Sequence, residues 1–411
     1  MKDIFKDNNK NYIYGGLYGS SSAYIINKLT NDFKNIIIVL DNNNEINNLY
    51  DELKIFIDKS IYINKFLDIE SLPYEDIIID NDIISSRIQT YNNILHNNKN
   101  ITIASYSSLL KKISPDIKKN NFFNIVDYEY TYGDLITIIK KLNYERVEQI
   151  LNKGEYAVRG PIIDIFSMAE NKPIRITFDD KKIETIKTFN IHTQKTQLIL
   201  NKFILSCYSE ININDHVIKN YKNKSKQTFD DEYQEDIEFS KIINKINYPS
   251  SYNILSLLYD TTLTLFDLLP KNGIYLTTKD IKKEILKINK MFLEYYEIHN
   301  NTKYILEPSD IIINNGEFLK LISKYKKVKL SNYKIIDDKN SYNSSIKKLP
   351  SVLINNTYKN PFHNLKKLID INLYKILIFI DRESLRTEIL NFLQLFSIQY
   401  QEITNIKEFY L

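Results

Sequence analysis

The sequence predicts an α/β chain, a parallel sheet covered by helices and interrupted by a smaller β-rich unit. Three observations predict it. Strand and helix patterns alternate through residues 12–113 and return near 273–298. Short runs such as NIIIVL (35–40) are apolar throughout, as in strands covered on both faces by crossover helices. Between these parts, residues 155–189 switch to alternating strands separated by Gly, Pro and acidic turns.

A length of 411 residues allows two to four compact units, and 43% hydrophobic with 12% aromatic residues supports cores for them. The 55 basic and 51 acidic side chains nearly cancel, so composition gives no basic field of the kind that marks a nucleic-acid binder. A single cysteine, Cys207, excludes an intramolecular disulfide or a thiolate cluster. No apolar run approaches the roughly 18 residues of a membrane span, and MKDIFKDNNKNY lacks the apolar core of a signal peptide. A cytoplasmic protein without a membrane partner is expected. Ile, Asn, Lys and Tyr are abundant, a bias toward A/T-rich codons, so Asn runs such as 41–44 are read as part of the fold.

In order along the chain, NYIYGG leads into SSSAYIINKL, a helix with serines at its start. NIIIVL is a buried strand, and EINNLYDELKIFI a helix with Ile46, Leu49, Leu53 and Phe56 on one stripe. SIYI is a strand, DIISSRIQTYNNILH a helix capped by Asp82, and NITIASYSSLLKKI a strand then a helix. TYGDLITIIKKLNY opens the β-rich unit as a helix capped near Thr131 or Gly133. Strands EYAVR, IIDIF, IRITF and KIETIKTF follow, with the acidic turn from Asp179 to Lys182 before the last. TFDDEYQEDIEFSKIINKI is polar, then helical. GIYLT (273–277) is a strand and KKEILKINKMFLEYYEI (282–298) a helix, a return to the first α/β unit. Residues 332–360 are turn-rich, and 361–403 alternate helix, buried strand (376–380), helix and strand. The boundaries that follow are 1–114 and 213–335 for two halves of one α/β domain, 115–212 for the insertion, 336–360 for a linker and 361–411 for an incomplete third α/β domain.

Two places carry candidate chemistry. The turn at 15–23, GGLYGSSSA, lies between a strand and a helix, where a phosphate-binding loop sits. Such a loop needs GxxxxGK(S/T): inward backbone N–H groups, a lysine on the phosphates and a hydroxyl on Mg²⁺. Aligned on Gly16, with Gly19 within the turn, the lysine position holds Ser22 and the hydroxyl position Ala23. The expectation is a P-loop-like domain with a degenerate nucleotide loop and no cofactor. In the β-rich unit, Arg159 and Arg175 are expected on neighbouring strands, side by side and facing water. One reading makes them solvated guards of a sheet edge. The other makes them an interaction face, since a planar guanidinium fork suits a carboxylate.

Other signals for an enzyme are weak. His96, His192, His216, His299 and His363 match no metal-ligand spacing. Ser108 to Lys111 fits SxxK, which the helix explains, and no GxSxG occurs. Asp230, Asp231 and Glu232 read as a solvated loop. The lysine loop, acidic Mg²⁺ motif and arginine finger of a nucleotide-driven motor are not found.

The stretch GEYAVRGPIIDIFSMAENKPIRITFDDKKIETIKTFNIHTQKT resembles the second domain of the bacterial transcription-repair coupling factors (Mfd) and the homologous module of the excision-repair protein UvrB. Their pattern is GEY-x-x-RG-x-(I/L)-(I/L)-D-(I/L)-F-P-M, then a proline, an arginine strand, an acidic turn and F-(D/N)-x-x-(S/T)-Q-(R/K)-T. Here Ser167 stands for the usual proline, and Phe178 is followed directly by Asp179 where the family often has two aromatics. Leu72-Pro73-Tyr74 and the run from Asp82 to Arg87 match a second block, E-T-L-P-Y-(D/E) … D-I-(I/V)-S-x-R-(L/I). The resemblance implies a first domain of UvrB fold without its nucleotide loop, and a UvrA-binding second domain. It places the UvrA contacts on Arg159, Arg175 and Phe178. It further implies recruitment of UvrA to lesion-stalled RNA polymerase for nucleotide excision repair, on a surface masked until the motor engages polymerase. ATP, Mg²⁺, RNA polymerase and duplex DNA would be bound by family domains expected beyond Leu411. The alternatives are a UvrB-type nucleotide-dependent repair enzyme and a non-functional truncated remnant.

Overall fold

The computed structural model describes residues 11–403, apart from 70–73, 76–78, 119–121, 127–129, 180–181, 230–232, 234–236, 246–248, 272, 302–303, 337–338, 351, 353–359, 372–374 and 381–382, together with residue 408. Leu72, Pro73, Asp180, Lys181, Asp230, Asp231 and Glu232, singled out in the sequence, lie outside the described residues.

Strands β1 (Asn11–Gly15), β2 (Asn35–Leu40), β3 (Tyr62–Phe66) and β4 (Asn100–Ser105) begin the main sheet. Then come β5 (Phe122–Val126), β6 (Glu145–Arg146), β7 (Glu155–Arg159), β8 (Ile162–Ile165), β9 (Ile174–Asp179), β10 (Lys182–Phe189), β11 (Thr196–Leu200) and β12 (Lys202–Ser206). The main sheet resumes with β13 (Ile274–Thr277), β14 (Lys326–Leu330) and β15 (Ser341–Asn343).

The main sheet has seven strands in the order β15-β1-β14-β13-β2-β4-β3, and every pair is parallel. The continuous apolar runs have the reason the sequence suggested: all six residues of β2 are buried. Side chains alternate faces along a strand. Ile36, Ile38 and Leu40 pack with Ala23 and Ile26 of the helix Ser21–Leu29 and with Leu53 of the helix Asn43–Phe56. Ile37 and Val39 pack on the other face, with Leu109, Tyr275 and Ile285 of the helix Ile281–His299. Burying each such side chain contributes about 1.5–3 kcal/mol.

Strands β6 to β11 form a second sheet of six, in the order β11-β10-β9-β8-β7-β6, antiparallel except where β6 meets β7. Strands β5 and β12 pair separately. The helix Tyr132–Lys141 covers this unit and starts at Thr131, which forms a reciprocal capping box with Asp134.

Several readings need correction. The helix Asn81–His96 is capped by Asp80, whose side chain accepts from the Asp82 N–H; Asp82 instead pairs with Lys153 at 3.4 Å. The helix Asp215–Thr228 was not anticipated because it is polar overall. Its signals are the Asn214 cap and the four-residue spacing of Val217, Tyr221 and Ser225, which are buried. Residues 375–380 and 398–403 form no strand, and the first group alternates between exposed and half-buried. In that region the helices His363–Asp370 and Glu383–Leu395 pack on each other through Leu365, Ile389, Phe392 and Leu393.

A buried ion pair ties the insertion to the main unit. Arg87 is 1% exposed, so it cannot serve as a DNA contact. Its Nε and Nη2 donate to the two carboxylate oxygens of Glu210 at 2.5 and 3.1 Å, Nη1 donates to Leu67 O, and Nη2 also donates to the Tyr91 hydroxyl. The guanidinium lies 4.1 Å from the Phe66 ring centroid. Burial lowers the Arg87 pKa, but Glu210 together with Tyr91 and Tyr252 outweighs it and holds the group charged. Replacing Arg87 by Met leaves Glu210 buried without a countercharge. Urea denaturation is expected to show a loss of about 3–5 kcal/mol, largely recovered in the Arg87→Met/Glu210→Leu double variant.

Candidate partner-binding site

The inserted sheet sorts its side chains by the period of two. Tyr156, Ile163, Ile165, Ile174, Ile176, Ile183 and Ile186 face the core under the helix Tyr132–Lys141. The opposite face carries the charged groups in two registered rows. Ala157, Asp164, Arg175, Lys187 and Ile199 lie opposite one another across β7 to β11. Arg159, Ile162, Thr177 and Thr185 form the next row.

The two arginines therefore share a face but are not side by side. Strand β8 lies between β7 and β9, and the rows are offset by two residues, so the Cα atoms are about 10 Å apart across the sheet and about 7 Å along it. The sequence pattern marks IIDIF as a strand but not its pairing, and β8 pairs with both β7 and β9, which separates the two arginines.

Their environments also differ. Arg175 donates from Nε and Nη2 to the two oxygens of Asp164 at 2.7 and 2.8 Å, and Asp164 is 3% exposed. Nη1 donates to Gln194 O at 3.1 Å and Nη2 to Gln194 Oε1 at 3.3 Å. The guanidinium lies 4.6 Å from the Phe189 ring centroid. Hydrogen bonding to Asp164 raises the Arg175 pKa, so the guanidinium stays charged. Arg159, at the end of β7, is exposed, and among the described residues its guanidinium donates only from Nη2 to Glu148 O at 3.0 Å. It forms no ion pair among the described residues. The turn that follows needs Gly160, whose φ is +56°. Phe178 points the other way: it is 4% exposed and meets the Tyr132 ring edge-on at 5.2 Å, a core position and not part of the exposed face.

The 15–23 turn, expected as a degenerate nucleotide loop, is closed by the protein's own backbone. Gly16, with φ at +70°, and Leu17 donate their N–H groups to Tyr333 O and Ser331 O at 3.0 and 3.1 Å. These amides would otherwise face a phosphate. Gly19 also has positive φ, and Ser22 is half-buried. Ala23 is fully buried in the main core, where a hydroxyl would have no approach to a metal ion. The Glu52 carboxyl, its pKa raised by burial, interacts with Ser20 at the start of the same helix and puts an acidic group where an anion would approach.

A profile of the UvrB interaction domain matches residues 125–210, which span β5 to the end of the insertion. The chain is similar to transcription-repair-coupling factors of Haemophilus influenzae (23% identical over 99% of this chain and 36% of the relative) and Rickettsia conorii (25%, over 95% and 35%). The corresponding protein of Escherichia coli is 22% identical over 96% of this chain and 35% of its own length. The chain is similar to transcription-repair-coupling factors over nearly all of its length, and its insertion matches the UvrB interaction domain. It spans about a third of the length of these relatives.

Within the UvrB interaction domain, sequence reasoning missed Asp164, Phe189, Asn190 and Gln194. The motif FNIHTQKT (189–196) is built around Arg175. Phe189 supplies the stacking ring, and Asn190 Oδ1 accepts from the His192 and Thr193 N–H groups at 3.0 and 2.9 Å. Gln194 takes φ +57° and turns back onto the guanidinium. An aspartate inside an otherwise apolar strand, IIDIF, was the available signal, because a buried carboxylate calls for a cation. Replacing Asp164 by Asn keeps the shape and removes the charge. Amide hydrogen exchange at Gln194 and Lys195 is expected to speed up at least tenfold, with the β7 amides little changed. For the loop, calorimetric titration of a Ser22→Lys variant with MgATP is expected to show no saturable binding at millimolar nucleotide, since the cradle amides are already bonded.

Proposed function

We propose that this chain recruits the excision-repair protein UvrA, and through it nucleotide excision repair, to RNA polymerase stalled at a lesion, and performs no turnover of its own. The observation that carries the reading is the exposed, unpaired Arg159 guanidinium on the polar face of the UvrB interaction domain. A planar cation with free donors on a rigid sheet suits an acidic group on a protein partner. Arg175 acts as a positioning residue: its donors are spent on Asp164 and Gln194, and it holds the turn 190–195 against the sheet. Phe178 supports the same strand from the core side. Engagement of RNA polymerase and duplex DNA belongs, in this reading, to other parts of a full-length coupling factor.

Capture of UvrA on the immobilised chain tests it. Arg159→Glu is expected to reduce capture at least tenfold, equivalent to about 1.4 kcal/mol or more. Arg159→Lys is expected to retain part of it, because lysine keeps the charge without the planar fork. Capture unchanged by Arg159→Glu would refute the reading.

A further inference from the structure

Among the described residues, the outer strand of the inserted sheet, β11, has a neighbour only on its β10 side. Soluble proteins blunt such edges with charge, proline, a bulge or a covering segment. The sequence of β11, TQLIL, contains neither charge nor proline, and its two central side chains are open to solvent: Leu198 is 59% and Ile199 73% exposed. Ile199 falls in the same registered row as Arg175 and Lys187, so the edge continues the polar face without a break.

The described side chains beside the edge include four lysines. Lys195 precedes the strand, Lys202 follows one residue after it, and both are exposed. Lys187 lies opposite Ile199, and Lys172 donates from Nζ to Gln197 Oε1 at 3.1 Å. Of the carboxylates on adjoining segments, Glu170 accepts from the Ile204 N–H, and Glu184 lies on β10 beyond the last pair with β11. An apolar, hydrogen-bond-ready edge inside a ring of lysines selects an extended segment that is apolar at alternate positions and flanked by acidic residues.

We propose that β11 is a docking strand: an extended acidic and apolar segment of the partner that meets Arg159 adds to the sheet as a seventh strand. This rests on the recruitment reading, and names the second half of the same contact. The main-chain ladder supplies affinity, Ile199 and Leu198 read the apolar positions on the two faces, and the lysines steer the acidic flanks. Arg159 then anchors the far side of the face, four strands away, about 19 Å across the sheet.

The test uses the full chain with UvrA. Ile199→Lys and Leu198→Lys place charge on solvent-exposed positions and are expected to leave the thermal melt unchanged while lowering UvrA capture at least tenfold. Hydrogen exchange is expected to show amides of Thr196–Leu200 protected at least tenfold on adding UvrA. Capture unaffected by both lysine variants, with no added protection in β11 and with Arg159→Glu still abolishing binding, overturns the docking strand and leaves recruitment standing. Capture indifferent to Arg159→Glu overturns both.

Discussion

The buried pair between Arg87 and Glu210 is the constraint on which the arrangement of the chain depends. Its two charges are 1% and 0% exposed at their side chains, so neither can be satisfied by water. Removing both from solvent is costly, and the geometry offsets the cost only because Arg87 also bonds Leu67 O and Tyr91 and stacks on Phe66. Arg87 belongs to a helix of the main unit, while Glu210 stands where the chain leaves the insertion. The pair therefore fixes how the insertion returns to the parallel sheet. Neighbouring bonds reinforce the junction: Ser85 Oγ donates to Met168 O, and Lys153 reaches Ser85.

A second ion pair applies the same logic to the polar face. Asp164 and Arg175 neutralise each other, and their bonds draw the turn 190–195 down over the sheet. What looks in the sequence like one of two equivalent surface arginines is a strut. The residue left with free donors is Arg159, held at the end of a strand by the Gly160 turn. Rigid support beneath an available charge lowers the ordering cost of binding, because little of the face has to be immobilised on contact.

The main unit is a seven-stranded parallel α/β sheet whose 15–23 turn is satisfied internally. Carbonyls of Ser331 and Tyr333, which lie just after β14, accept from the Leu17 and Gly16 amides. The turn thereby becomes a structural joint between the start of the sheet and its last parallel strands. β15, in a stretch that reads as linker, pairs with β1 beside this joint, and Ser344 N donates to Gly15 O.

Local chemistry was legible in the sequence. The apolar run NIIIVL marked a strand buried on both faces (ILIFI at 376–380 did not), the absence of lysine at the 15–23 turn was visible by position, and alternation in EYAVR, IRITF and KIETIKTF marked the inserted strands. Those features depend on neighbours within a few residues. The tertiary structure decided what depends on partners far apart in sequence: that β8 separates the two arginines, that Asp164 and Gln194 consume Arg175, that Phe178 is core, and that Leu198 and Ile199 lie on an open edge. Strand order and register are set by how faces pack together, and the period of two records only which face a residue takes, not which residue it will meet there.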